Sequence, residues 1–180
     1  MSHYVVWVFT EEGEEFEAQE LLERFDENES HFYEFCDETE ELEESWKNKD
    51  RVGKSPAECF DKIGEFAKSW YGFVKVGGKW GYWHNPNAKW DWYAFGGRWD
   101  GYIGKKNIVK AEKILGMKDL DDKIPFAFIN PSGDFVEHST MGWWGISYDE
   151  KHGKDEWIEI VKTALKDNPE SLIMVYDLHI

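Results

Sequence analysis

The chain has 180 residues, of which 41% are hydrophobic, and carries a formal net charge of −16. That length suits one α+β domain, 1–180, with one core, and no apolar run approaches the ~20 residues that a membrane span needs. Such acidity excludes the basic footprint of a duplex DNA- or RNA-binding protein, while leaving room for an acidic face that meets a basic protein.

Neither charge nor aromatic content is spread evenly. Residues 11–50 hold 18 Asp/Glu against 3 Lys/Arg, and residues 70–102 hold 12 of the aromatics. The acidic stretch reads either as solvated helix faces or as a surface for a basic host protein. Cys36 and Cys59 make no CxxC motif, which predicts two reduced thiols in a cytoplasmic protein.

In chain order, residues 3–9 are β-branched and aromatic and predict a strand, with no basic n-region or small-residue cleavage site of a signal peptide. Residues 14–28 place Phe16, Leu21, Leu22 and Phe25 at helical spacing. Residues 29–50 read as loop with a helical turn near 40–46. Ser55-Pro56-Ala57-Glu58 combines an N-cap serine, a proline at the first helical position and a glutamate at the third, predicting a helix over 56–70.

Residues 72–103 break into short strands at Gly77-Gly78, Asn85-Pro86-Asn87 and Gly96-Gly97. A short helix over 107–115 stops at Gly116. Residues 126–129 and 135–138 flank the turn Asn130-Pro131-Ser132-Gly133, predicting a hairpin. A helix over 155–167 and a strand over 172–178 close the chain. Adjacent strand pairs favour a mainly antiparallel sheet with helices on one face and the apolar first and last strands at its centre. A ferredoxin-like core with an inserted aromatic-rich hairpin is one such arrangement.

The chemistry concentrates in Asn85-Pro86-Asn87-Ala88-Lys89-Trp90-Asp91-Trp92-Tyr93-Ala94-Phe95-Gly96-Gly97-Arg98-Trp99. Arg98 is one of three arginines and lies between a glycine pair and an indole. Glycines let backbone N–H groups approach an anion, and a guanidinium beside aromatic faces grips phosphate or carboxylate and stacks on a base. The expected ligand site is therefore Lys89, Trp90, Asp91, Trp92, Tyr93, Arg98 and Trp99, with Trp143 and Trp144 of Met141-Gly142-Trp143-Trp144-Gly145 as its opposite wall. The competing reading makes the tryptophans core and pairs Arg98 with Asp91 or with the acidic stretch.

Catalytic signatures such as GxSxG, HExxH and the P-loop do not occur, and the six histidines show no metal-ligand spacing. Neither a metal nor a cofactor is implied. His84, beside Asn85, and His179, two residues after Asp177, are the histidines nearest the motif-bearing segments. With Asp91 they would carry a hydrolase reading, although no nucleophile with an evident base accompanies them.

The opening Met-Ser-His-Tyr-Val-Val, Arg24-Phe25-Asp26-Glu27-Asn28, the Asn-Pro-Asn-Ala-Lys-Trp-Asp-Trp-Tyr and Gly-Gly-Arg-Trp blocks, Met-Gly-Trp-Trp-Gly and the terminal Tyr-Asp-Leu-His-Ile together resemble a protein family of bacteriophages and their bacterial hosts. The resemblance covers both ends of the chain. It implies a phage or mobile-element setting and no particular activity. In that setting the expectation is a protein that evades host defence, in the cytoplasm of the host bacterium. It would do so by sequestering an anionic nucleotide-like molecule or by blocking a basic host protein as an inhibitor or DNA mimic.

Overall fold

The computed structural model describes residues 2–48, 56–141 and 147–180. The chain divides into two compact units, one comprising Met1–Asn28 with Asn87–Ile180 and the other Glu29–Pro86.

The larger unit is built on strands β1 (His3–Thr10) and β11 (Leu172–His179), antiparallel along their whole length, with Trp7 opposite Val175. Both are central, as their apolar composition predicts. β11 also pairs antiparallel with β5 (Trp92–Phe95) and, further along, with β6 (Ile108–Lys110). On its other edge β1 pairs in parallel with β7 (Ala127–Ile129), and β7 pairs antiparallel with β8 (Phe135–Glu137) across the expected Asn130–Gly133 turn.

Side chains of a strand alternate between faces. Val5, Trp7 and Phe9 therefore point to one side of the sheet, where α4 (Ala111–Leu115) and α5 (Lys154–Asp167) cover them with Ile114, Trp157 and Val161. Tyr4, Val6 and Val8 point to the other, where α1 (Glu15–Glu23) adds Ala18 and Leu22. Burying each such large apolar side chain contributes about 1.5–3 kcal/mol.

Helices thus cover both faces rather than the one expected. The reason is legible in β1 itself: residues 4–9 are apolar without alternation, and a strand buried on both sides needs a layer on each. The ferredoxin-like pairing also gives way. There the second hairpin strand would slot between β1 and β7, whereas here β1 and β7 pair directly and β8 takes the edge. In keeping with that order, all three residues of β7 are buried, while Phe135 and Val136 of β8 are only half-buried.

Two helices are shorter than their patterns suggest. α1 ends at Glu23, because Phe25 and Asp26 turn away to meet Trp90, Asp26 forming a parallel bridge with it. Phe16 is 72% exposed, so the apolar face is carried by the buried Ala18 and Leu22, with Leu21 half-buried beside them. Residues 108–110 join the sheet as β6, leaving α4 to begin at Ala111 and to stop, as expected, at Gly116. A separate antiparallel pair, β9 (Ser139–Met141) with β10 (Ser147–Glu150), has no counterpart in the sequence reading.

The smaller unit is a three-stranded antiparallel sheet in the order β2 (Glu34–Asp37), β4 (Lys79–His84), β3 (Val74–Val76). With it come α2 (Thr39–Lys47) and α3 (Ile63–Trp70) around Leu42, Phe66 and Ala67. The helix expected over 56–70 is split into a 3-10 turn at Pro56–Cys59 and α3. The break folds Phe60 back to 5.5 Å from the ring of Phe66, a contact that two residues six apart on one straight helix do not make. The proposed cap Ser55 lies outside the described residues. Cys36 and Cys59 are both free thiols.

At the start of α2, Asp37 binds Lys79 at 2.6 Å and accepts hydrogen bonds from the Thr39 hydroxyl and N–H at 2.7 and 3.2 Å. These partners, Lys79 foremost, hold the Asp37 carboxyl down at about 2. A carboxyl depressed in the folded state stabilises above its unfolded pKa of about 3.9, and that contribution disappears as pH falls toward about 2. Between about pH 5 and pH 2, Asp37→Asn is expected to lose less stability than the parent chain in denaturant titrations. An identical acid limb in the two proteins would show that Asp37 is unpaired in solution.

Candidate functional site

The antiparallel register sets His3 directly opposite His179, with Asp177 opposite Val5. Alternation then gathers His3, Asp177 and His179 on the face that carries Trp7, at one end of the sheet. The imidazoles of His3 and His179 lie 5.0 Å apart, edge to face. β5 brings Trp92 opposite His179, and the Trp92 ring meets that of His3 at 6.1 Å.

Each histidine is held by its own carboxylate. Nδ1 of His3 lies 2.9 Å from Oδ1 of Asp177, and Nδ1 of His179 lies 2.5 Å from Oδ1 of Asp91. An ionised carboxylate only accepts, so each Nδ1 carries a proton, and in the neutral ring Nε2 is then the acceptor. Asp177 is 1% exposed and is fixed by a second donor, the backbone N–H of Arg98, 3.0 Å from Oδ2.

The Gly96-Gly97-Arg98 loop makes that second contact. Gly97 has φ +52°, and a Cβ there would stand 2.4 Å from Cβ of Asp177. The glycine pair brings one backbone N–H, that of Arg98, to an anion, and the anion is the protein's own Asp177. The loop is pinned from behind by the buried Asn107, whose Oδ1 accepts from the N–H of Gly101 and whose Nδ2 donates to Asp100, both at 2.6 Å.

His3 also lines a cavity of about 440 Å³ within the same unit. Its walls include the aromatic Trp99, Tyr102 and Trp157, with Asp121, His138 and Lys154. A volume of that order accommodates a mononucleotide-sized molecule. Burial, with the charge of Asp122 adding to it, raises the Tyr102 phenol above its ordinary range, so it remains a neutral donor. The indole N–H of Trp99 is buried and has no hydrogen-bond partner among the described residues.

Comparison with protein-family models, curated proteins and solved structures gives no match.

The site expected from the sequence divides between the two faces of the sheet. Asp91 and Trp92 meet the two histidines and Trp99 lines the cavity, while Arg98 joins them through its backbone N–H on Asp177. Trp90 does not: it is 1% exposed in the opposite core layer, against Phe25 and Phe135, each 5.7 Å away. Tyr93 packs on Tyr176 in that layer. Lys89, expected to grip an anion, instead binds Glu137 at 3.1 Å and lies over the Phe135 ring. Glu137, whose side chain is 5% exposed, also takes Lys151 at 2.6 Å, and a buried carboxylate requires such partners.

Asp91 orients His179 rather than Arg98. Arg98 itself is exposed, and its guanidinium makes no ion pair among the described residues. Trp143 and Trp144 lie outside the described residues. His84 belongs to the smaller unit, where its ring packs against Tyr82. His3 is not among the residues to which the sequence motifs point. Only its place at the start of the first strand, matched to a histidine at the end of the last, signals it.

Among the described residues no helix is long and apolar enough to cross a membrane, and no group of three or more His, Cys, Asp or Glu side chains could hold a metal ion.

Proposed function

We propose that the chain binds a small, anionic, nucleotide-like molecule in the cavity of its larger unit. The observation that carries this reading is the meeting of aromatic walls with uncommitted cationic and hydrogen-bonding groups. Trp99, Tyr102 and Trp157 line the cavity with Lys154, and Arg98, adjacent to Trp99, is exposed without an ion-pair partner among the described residues. Stacking a base on an aromatic face is worth about 1–3 kcal/mol, and a guanidinium adds a planar fork for phosphate. In the phage setting implied by the resemblance, such a protein would sequester a nucleotide signal of host defence.

Arg98→Ala tests the reading without disturbing the scaffold, because the backbone N–H that binds Asp177 remains. After a thermal-shift screen against nucleotides and cyclic dinucleotides supplies a ligand, its affinity for Arg98→Ala is expected to fall at least about tenfold, the loss of roughly one charge-assisted hydrogen bond. The melting temperature is expected to stay within about 2 °C. Arg98→Lys should restore little, since an ammonium lacks the fork. Unchanged affinity in Arg98→Ala would remove Arg98 from the site.

The acidic stretch favours a second reading, an inhibitor or DNA mimic that presents carboxylates to a basic host protein. Its carboxylates include Glu15 and Glu17 in the first turn of α1, and Glu40 and Glu41 in that of α2. Salt separates the two readings. Docking through exposed carboxylates weakens steeply with ionic strength, whereas a stacked ligand in a cavity responds less.

A further inference from the structure

We propose that the cavity is catalytic: His3 acts as its acid–base residue, Asp177 positions it, and the chain hydrolyses a phosphoester bond of the ligand. This rests on the reading of the cavity as a site for a nucleotide-like anion. It goes further in assigning chemistry to side chains that binding alone does not require.

The geometry points to His3. Its ring belongs to the cavity wall, its Nδ1 is tied to Asp177, and its Nε2 is left with a lone pair. Asp177 is itself immobilised by the N–H of Arg98, so tautomer and ring orientation are both fixed from behind. This is the relation of base to orienting carboxylate in hydrolytic sites. A histidine serving only to fill the end of the sheet would not need a buried carboxylate fixed at both oxygens.

The second pair, Asp91 with His179, is stacked edge-on against the first at 5.0 Å and limits the rotation of the His3 ring. The cationic groups already named, Lys154 in the cavity and the exposed Arg98, suit the charge of a phosphoryl group as it is attacked.

The step balances without a further reactant besides water. Nε2 of His3 takes a proton from water as the water oxygen forms its bond to phosphorus. The bond from phosphorus to the leaving oxygen breaks, and that oxygen keeps the electron pair. The imidazolium of His3 then gives it the proton, returning His3 to its starting form. One water is consumed, and a phosphate monoester and a hydroxyl compound result, which for a cyclic mononucleotide are two ends of one molecule.

The test uses the full chain and two readouts. Turnover is followed with bis(p-nitrophenyl) phosphate, cyclic AMP and cyclic di-AMP, and binding is measured by titration calorimetry with AMP. The parent chain is expected to hydrolyse at least one of the three esters. His3→Ala is expected to lower kcat by about 10²- to 10⁴-fold with AMP affinity within about threefold of the parent, and added imidazole is expected to restore part of the rate. Asp177→Asn should lower kcat with KM little changed, because it acts through His3 rather than on the substrate.

Binding of AMP without hydrolysis of any of the three esters overturns the catalytic proposal and leaves the binding reading standing. Loss of both hydrolysis and AMP binding in the parent chain overturns both. Hydrolysis that survives His3→Ala at the parent rate removes His3 from the chemistry, and the melt of the same variant shows that the rate is read on folded protein.

Discussion

Trp90→Ala is expected to destabilise the larger unit by about 3–5 kcal/mol, the usual cost of deleting a buried indole from a packed core. Trp90 is 1% exposed and meets Phe25 and Phe135 at 5.7 Å. Its backbone is equally committed. The carbonyl accepts from the N–H of Glu27 at 2.9 Å, and the residue bridges to Asp26. Trp90 therefore staples the segment after α1 to the layer formed by Tyr4, Val6 and Ile129. Against a total stability of about 5–15 kcal/mol for a typical domain, that loss is severe. Trp90→Phe should cost much less, because it keeps most of the packed volume and removes an indole N–H that has no partner among the described residues. Urea denaturation of the three proteins decides the matter. A cost below about 1 kcal/mol for Trp90→Ala would return Trp90 to the wall of a ligand site.

How far the fold is legible follows from what each segment buries. β1 and β11 are readable because their apolar runs are long and uninterrupted, and their central place follows from burial on both faces. The hairpin β7–β8 is readable from its turn residues. β2, by contrast, is Glu-Phe-Cys-Asp with no residue fully buried, and nothing in such a pattern separates strand from loop. β6 is three half-buried residues, held in the sheet by β11 rather than by local preference.

The site was legible in part for the same reason. The block around residues 85–99 does carry functional groups, but a strand sends successive side chains to opposite faces. Trp90 and Tyr93 thus part company with Asp91 and Trp92, Trp99 past the end of β5 joins the layer of Trp7, and the compositional cluster is not a spatial one. The pairing of His3 with Asp177, 174 residues apart in sequence, depends on the register of β1 against β11, which no local pattern specifies. Asp177 and His179 share a face as the sequence suggests, yet each histidine takes a different carboxylate, and the partner of His179 comes from the segment just before β5.

Gly97→Ala is expected to cost about 1–3 kcal/mol more than Gly101→Ala, although both glycines have positive φ, +52° and +75°. For either residue the left-handed backbone alone penalises an alanine by about 1–2 kcal/mol. At Gly101 that is the whole cost, since an added Cβ meets nothing within 4 Å. At Gly97 the Cβ would fall 2.4 Å from Cβ and 2.6 Å from Oδ2 of Asp177, closer than non-bonded atoms can stand. Asp177 is buried in the sheet, so relief requires the loop to lift and the bond from the N–H of Arg98 to Oδ2 to break. A buried carboxylate that loses such a donor accounts for the additional cost. The same displacement loosens the support of His3, so Gly97→Ala should also weaken any function of the cavity while Gly101→Ala leaves it near the parent level. Paired denaturant titrations of the two variants measure the difference. Equal costs would mean that the Gly96–Arg98 loop does not clasp Asp177, and the orientation assigned to His3 would lose its support.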